Sequence, residues 1–423
     1  MTRSALVLLC GLFGVALVFT TLAGNLMPPA GPVVPTMKTL DQVEPRIPIG
    51  PTTTPGDANS VYRISSPGSY YLMGNVTGAV GKSGIVIDAS DVQIDLMGYT
   101  VRGVVGSNAG IAKGGGLGNN LVNIRIANGV VRDWGDDGVQ LADGAQNYNH
   151  HVERIVATNN GGSGISCDDN ALVERCLVRM NGFFGVSTGT GSSVLSCVSR
   201  DNTQAGVRVG SGSIVRDCNA VANGGEGILC SAYSMITNCT SNSNSIGFLL
   251  LESSISSCTA SFNSGTGFVL DTGCSATNCV SNQNGLEGFQ TLGANTLSLC
   301  NAKSNVGNGI IADRATSVMN CSVSSNGVSG ILSLGFATIM NNTCDNNIWG
   351  IRTTANLSRI EGNTVLNNST GISVSGTNNM VIRNYCLGNT TSFNIGPNTF
   401  LGTVTGTNAG MNAATNGNIN VGG

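Results

Sequence analysis

Charge is scarce in this chain of 423 residues: Asp, Glu, Lys and Arg make up 10% of it, and the net charge is -3. Four residues are Lys and the Arg are scattered, so the chain offers no basic face to nucleic acid. An acidic excess this small names no partner. Histidine occurs twice, as the neighbours His150 and His151. Adjacent residues on a strand face opposite ways, so these two cannot hold one metal together. They read as the end of a solvated loop before a strand, with His151 as a candidate general base. After the first 23 residues no apolar run approaches membrane length. There is also no nucleotide loop, Ser-His-Asp arrangement, zinc spacing or CxxC.

What the chain has instead is one phrase repeated. Asn recurs at Asn160, Asn181, Asn202, Asn223, Asn244, Asn263, Asn284, Asn305, Asn326, Asn347, Asn368 and Asn389, every 21 residues apart from one step of 19. A Gly-apolar pair keeps the same beat, from Gly164-Ile165 to Gly371-Ile372. Such self-similarity marks a solenoid, in which each repeat buries its apolar residues against its neighbours. The Leu-x-x-Leu-x-Leu signature is missing, and the repeats are rich in Gly, Ser, Thr, Asn and Val rather than in helix formers. Short period-two runs between Asn-Gly turns predict strands stacked in parallel, about 4.8 Å apart. The expected fold is all-β, a single-stranded parallel β-helix with rungs of about 21 residues. Asn tolerates the left-handed conformation and bonds nearby backbone, so the Asn column is expected at a recurring bend, its amides stacking along the coil.

Five residues before each Asn runs a second column, in which Cys176, Cys197, Cys218, Cys239, Cys258, Cys279, Cys300 and Cys321 are consecutive members. Small, easily buried side chains at one phase suggest an interior file. In-register neighbours fit a disulfide poorly, so free buried thiols are expected. The residue after each Gly swells to Phe248, Phe268 and Phe289, which suggests an aromatic stack in the core.

The ends read differently. Residues 1–23 have the layout of a secretory signal: Arg3, an apolar run from Ala5 to Phe19, and Thr21-Leu22-Ala23. An N-terminal anchor is the alternative. Residues 24–53 hold most of the Pro and read as an extended linker. The body is expected over 54–395, opening with a Tyr-rich capping strand, and 396–423 as an Asn/Gly-rich tail. Wider Gly spacings of 26 and 28 around Gly110 and Gly138 place longer loops on the first rungs.

Several stretches resemble one family. Ile360-Glu361-Gly362-Asn363-Thr364-Val365 is typical of its rungs, and Thr54-Pro55-Gly56-Asp57 with Pro67-Gly68-Ser69-Tyr70-Tyr71-Leu72 and Ile94-Asp95-Leu96-Met97-Gly98-Tyr99 is similar to its secreted bacterial members. The chain, over about residues 54 to 395, resembles the right-handed parallel β-helix proteins of the pectate-lyase-like superfamily. That resemblance implies the fold. For function it implies a range: lyases, hydrolases, epimerases, adhesins and members without assigned activity.

Chemistry-bearing residues gather on the early rungs. Asp143 lies five after Gly138 and Asp169 five after Gly164. Stacked one rung apart, these carboxylates would suit a retaining glycosidase pair or a shared Ca²⁺ site with Asp168. Asp-Gly and Asp-Asp-Asn are also ordinary turn chemistry. Asp136 and Asp137 in Gly135-Asp136-Asp137 match one polygalacturonase motif, but that family's Gly-His-Gly and Arg-Ile-Lys do not follow. Trp134, Tyr148, Arg154 and Arg175 are the residues expected to meet a sugar. Glu153-Arg154 and Glu174-Arg175 read as a surface charge ladder. The early rungs thus suggest an exported or cell-surface protein with a structural or glycan-binding role, needing no cofactor, whose partner is an extracellular or cell-envelope polysaccharide. The alternative is a lyase or glycoside hydrolase acting on an acidic glycan through these carboxylates, with Ca²⁺ as its one candidate cofactor.

Overall fold

The computed structural model describes residues 45–114, 120–142, 144, 147–405 and 420–422, so the expected signal segment and most of the linker lie outside it. Among the described residues there is no helix, and so none long and apolar enough to cross a membrane.

One rung shows the plan. Ile165–Cys167, Leu172–Glu174 and Leu177–Arg179 are three short strands, paired in parallel with Val186–Thr188, Ser193–Leu195 and Val198–Arg200 of the next rung. First strands build a 16-stranded sheet, and second and third strands a 32-stranded one. The two ladders of the larger sheet are joined by Arg125–Arg132 and His151–Thr158, which are long enough to run through the corner between them. The parallel β-helix read from the repeats and the resemblance is the fold observed.

Alternation along each strand sends one file of side chains inward. Ile165, Val186, Val207, Ile228, Phe248, Phe268, Phe289 and Ile310 are all fully buried, each in register with the next. The three Phe rings stack at 4.9 and 4.6 Å, within 7° of parallel. The Gly before each member is required by packing. A Cβ on Gly185 would meet Ser199 Oγ at 2.0 Å and Asn202 Nδ2 at 2.8 Å. The Cys file is interior as expected, and the thirteen cysteines from Cys167 to Cys386 are free and buried. Burial pushes the thiols of Cys167, Cys230 and Cys344 up, away from the reactive thiolate.

The corners carry the repeat. At each one a left-handed residue is followed by a residue whose side chain points inward. Here the reading of the Asn column needs correcting. The left-handed residues are those just before it, among them Asn159, Met180, Asp201, Ala222 and Phe262, at φ between 52° and 58°. The Asn that follows is buried and serves as a hydrogen-bond relay. Asn181 donates its backbone N–H (3.1 Å) and its Nδ2 (2.9 Å) to Asn202 Oδ1, and Nδ2 also to the Ala157 carbonyl. A bend takes the corner N–H out of the ladder, and the amide one rung on supplies the missing acceptor. The same device works at the other two corners. Cys239 donates its N–H to Cys258 Sγ, and Cys321 to Asn342 Oδ1. At the third corner Ala171, Ser192 and Ser213 donate theirs to Ser192, Ser213 and Ser234 Oγ.

Two expected boundaries move. Ile47–Ile49, inside the expected linker, is a strand paired with Gly68–Leu72. Pro48 is tolerated there because, among the described residues, this is the sheet's first, edge strand. The Tyr-rich Gly68–Leu72 is accordingly a strand within the stack, also pairing with Val92–Asp95. The folding back belongs to the residues before it, where Pro55 bridges Tyr62 in the antiparallel sense. At the other end the expected tail still contributes strands, Phe400–Leu401, Val404–Thr405 and Asn420–Gly422. Asn420 is buried and accepts the Asn384 N–H at 2.9 Å, which extends a corner file across a 36-residue gap.

Asn223 Oδ1 accepts from Asn202 N and Nδ2 (3.2 and 2.9 Å), while its Nδ2 donates to the Ser199 carbonyl and Asn244 Oδ1 (3.1 and 3.0 Å). Asn223→Leu orphans several buried groups at about 1–3 kcal/mol each, and should lower stability by about 3 kcal/mol in urea unfolding. A loss below about 0.5 kcal/mol would mean that the relay is dispensable.

Candidate functional site

The early rungs differ from the later ones in their corner loops, and these decide where each expected residue sits. The rung from Gly138 to Gly164 is 26 residues long, so a count from the Gly misplaces its loop. Tyr148, not Asp143, is the residue bridged to Asp169. Asp143 itself lies outside the described residues. Asp169 Oδ1 accepts the Thr190 N–H and Asp168 Oδ2 accepts Asn147 Nδ2, each at 2.7 Å. Both act as hydrogen-bond acceptors at this turn.

Asp136 and Asp137 occupy a different corner. They precede the strand Val139–Gln140 of the 16-stranded sheet, whereas Asp168 and Asp169 follow Ile165–Cys167 of the same sheet. The structure therefore does not bring the four together. Asp137 Oδ1 takes the Ser163 N–H at 2.5 Å. Burial pushes its pKa up to about 6, with Asp136 adding to the rise and the Ser163 bond opposing it. Trp134, expected to meet a sugar, is 2% exposed. It is a corner residue after left-handed Asp133, its indole N–H donates to the Val101 carbonyl at 3.0 Å, and its backbone N–H to Asn160 Oδ1 at 3.2 Å. His150 is likewise a corner residue, not part of a solvated loop. It is 1% exposed, follows left-handed Asn149 and takes the Ile124 N–H on Nδ1 at 3.4 Å. Burial, then nearby Lys113, lowers its pKa to about 4.

The residues the fold does gather lie outside the second strands. Register sets Arg125 beside His151, and Glu153 beside Glu174. His151 Nε2 is 3.0 Å from Glu174 Oε1. Glu153, 4% exposed, contacts Arg125 and meets Arg154 at 2.5 Å, while Arg175 is 3.6 Å from Glu174. Ligand atoms of His151, Glu153 and Glu174 fall within 4.8 Å of one another, the only such group among the described residues. Three arginines already balance the two carboxylates, so this reads as an ion-pair network with one imidazole at its edge. Sequence reasoning had His151, Arg154 and Arg175 and saw the Glu pair as a ladder. It missed Arg125, which stands 26 residues before His151 across a lengthened loop.

At the corners that follow the third strands an open groove of about 1100 Å³ crosses the same rungs. Arg102, Arg132, Asp133, Asn159, Met180 and Asp201 contribute side chains to it, and Gly103, Gly135, Gly161 and Gly182 keep its floor low. Val105, 97% exposed, stands in the loop on one side.

No protein-family model matches the chain, and no curated protein does. Among solved structures it is similar to the A-module of the mannuronan C-5 epimerase AlgE4 of Azotobacter vinelandii, with 16% identity over 79% of this chain and 90% of that one and a TM-score of 0.40. It is also similar to the periplasmic alginate epimerase AlgG (11% identity, 82% and 80% covered, TM-score 0.39). A mutant tailspike protein of E. coli bacteriophage HK620, solved with a hexasaccharide, gives 14% identity, 75% and 72% covered, and a TM-score of 0.48. Likeness at this level assigns no activity.

Asp137 and His150 pull stability in opposite directions with pH. A carboxyl raised from 3.8 to about 6 binds its proton more readily when folded, so its contribution to stability falls as pH rises from about 4 to 6. A His lowered from 6.5 to about 4 does the reverse over that window. Asp137→Asn should therefore gain more stability over wild type at pH 7 than at pH 4.5 in urea titrations. An equal difference at both pH values would show that Asp137 titrates normally.

Proposed function

We propose that the protein is an exported or cell-surface solenoid that binds an extracellular or cell-envelope glycan on its early rungs. The groove beside Arg102, Arg132 and Asn159 supports this reading most directly. It is open to solvent, lined by hydrogen-bonding residues, and crosses successive rungs, so a chain-like ligand can enter from the side. The expected catalytic carboxylates support it too. Asp168, Asp169 and Asp137 each accept a hydrogen bond from a neighbouring turn or loop. No bound metal is needed for such a role.

One observation favours a second reading, a polysaccharide lyase or hydrolase. His151, 28% exposed in its side chain, is held by Glu174 at the edge of a network carrying three arginines, a place where an acidic sugar could exchange a proton with an imidazole. A panel of neutral and acidic glycans separates the two, with binding and release of reducing or unsaturated ends followed for wild type, His151→Gln and Glu174→Gln, with and without added Ca²⁺. Binding without turnover, unchanged in both variants, is expected. Turnover lost on His151→Gln would replace the binding role with the enzymatic one.

A further inference from the structure

We infer that the interior cysteine file is a binding site for a soft monovalent cation, Cu(I), held in a line of metal–thiolate bonds inside the coil. Cys176, Cys197, Cys218, Cys239, Cys258, Cys279, Cys300 and Cys321 fill one corner slot on successive rungs, all free and at most 2% exposed. The strands on either side of that corner pair in register, as Glu174 with Leu195 and Leu177 with Val198. The thiols also share one orientation. Each of the eight donates to the carbonyl two residues before it, at 3.2–3.4 Å. Equal orientation in register gives the sulfurs the spacing of the rungs, about 4.8 Å.

A thiolate binds a closed-shell metal ion at about 2.3 Å, so two such bonds in line span about 4.6 Å. The gap between neighbouring sulfurs therefore suits one two-coordinate cation without moving a rung. Thiolate is the ligand that selects Cu(I) over harder ions. Two further thiols stand near the file on the first strands. Cys230 is fully buried, its thiol pushed up by burial and then by Cys239 and Cys218, and Cys167 is pushed up by burial and then by Cys176.

The corner's hydrogen bond does not itself call for sulfur. Asn342, Asn363 and Asn384 fill the same slot on the next rungs and accept the N–H groups of Cys321, Asn342 and Asn363. A compact acceptor is all the bend requires, and eight cysteines in succession add a soft ligand to it. The backbone suits the ligating form as well. Cys239 donates its N–H to Cys258 Sγ at 3.3 Å, an outer-shell bond of the kind that steadies a metal-bound thiolate. Seven Cu(I) ions between eight thiols displace eight protons and leave one negative charge, spread over about 34 Å, with copper and sulfur unchanged in oxidation state. Burial disfavours a bare thiolate, and ligation to a cation offsets that penalty. The slot lies one residue behind the exposed corner positions Ser196, Asp217, Asn238 and Ser257, so the path of entry is short.

The test is anaerobic titration of the reduced full chain with Cu(I) supplied as its acetonitrile complex, with Ag(I) as a second soft probe and Zn(II) as a harder control. Native mass spectrometry should count about seven Cu(I) per chain, and X-ray absorption should show sulfur neighbours at about 2.3 Å. The thermal unfolding midpoint should rise, as binding to the folded state requires. Cys239→Ser/Cys258→Ser keeps a compact acceptor in the slot and cuts the sulfur gaps from seven to four, so uptake should fall by about three ions. Cys344→Ser/Cys386→Ser, separated by Val365 in a different column, should leave uptake unchanged. A midpoint that falls as copper is added to the wild type would show binding by the unfolded chain alone and would overturn the proposal without any variant. Absence of uptake, or equal uptake by the two folded double variants, would overturn it too. Tighter binding of Zn(II) than of Cu(I) would overturn the assigned cation.

Discussion

A coil with three bends per rung breaks its own hydrogen-bond ladder three times per turn, and everything else here depends on how those breaks are closed. At each corner the left-handed residue turns the chain and the next residue's N–H is left facing its neighbour rung with no carbonyl in line. The inward side chain one rung further on accepts it. Asn does this along one edge, Cys and later Asn along the second, and Ser, Cys and Asn along the third. Any buried side chain with a compact acceptor meets the need, which explains why the edges differ in chemistry while sharing one geometry.

This constraint separates what was legible in the chain from what was not. The Asn edge is chemically uniform, so its period stood out, and with it the rung length, the Gly beside it and the Phe stack in the core. The Ser edge passes through Ala171, Ser192, Ser213, Ser234, Ser253, Cys274 and Asn295, a mixture with no single letter to count. The left-handed positions are equally mixed: Met180, Phe262 and Leu299 hold the same conformation as Asn159. Conformation there is imposed by the stack rather than chosen by the residue. Asn was therefore credited with the bend when its work is one residue later.

The candidate site failed to read through for a related reason. Counting works only where rungs have equal length, and the early rungs do not. Five extra residues between Gly138 and Gly164 put Tyr148 where Asp143 was expected, and a lengthened loop hid Arg125 behind His151. Trp134 misled because its neighbours Arg132, Asp133 and Asp136 mark a surface segment, while the Trp itself fills the corner slot that Asn fills elsewhere. The irregular rungs that conceal their register are the rungs that carry the groove.

The Asn file has one more property. From Asn160 to Asn368 every side-chain amide donates to the amide oxygen of the rung ahead, while its Nδ2 also reaches a backbone carbonyl of the rung behind. The amide oxygens therefore all face the first rungs, and their dipoles align along the interior. Such a line is polarised as a whole, each bond strengthening the next. The stack of rungs has a sense of direction along this file that its near-neutral composition conceals.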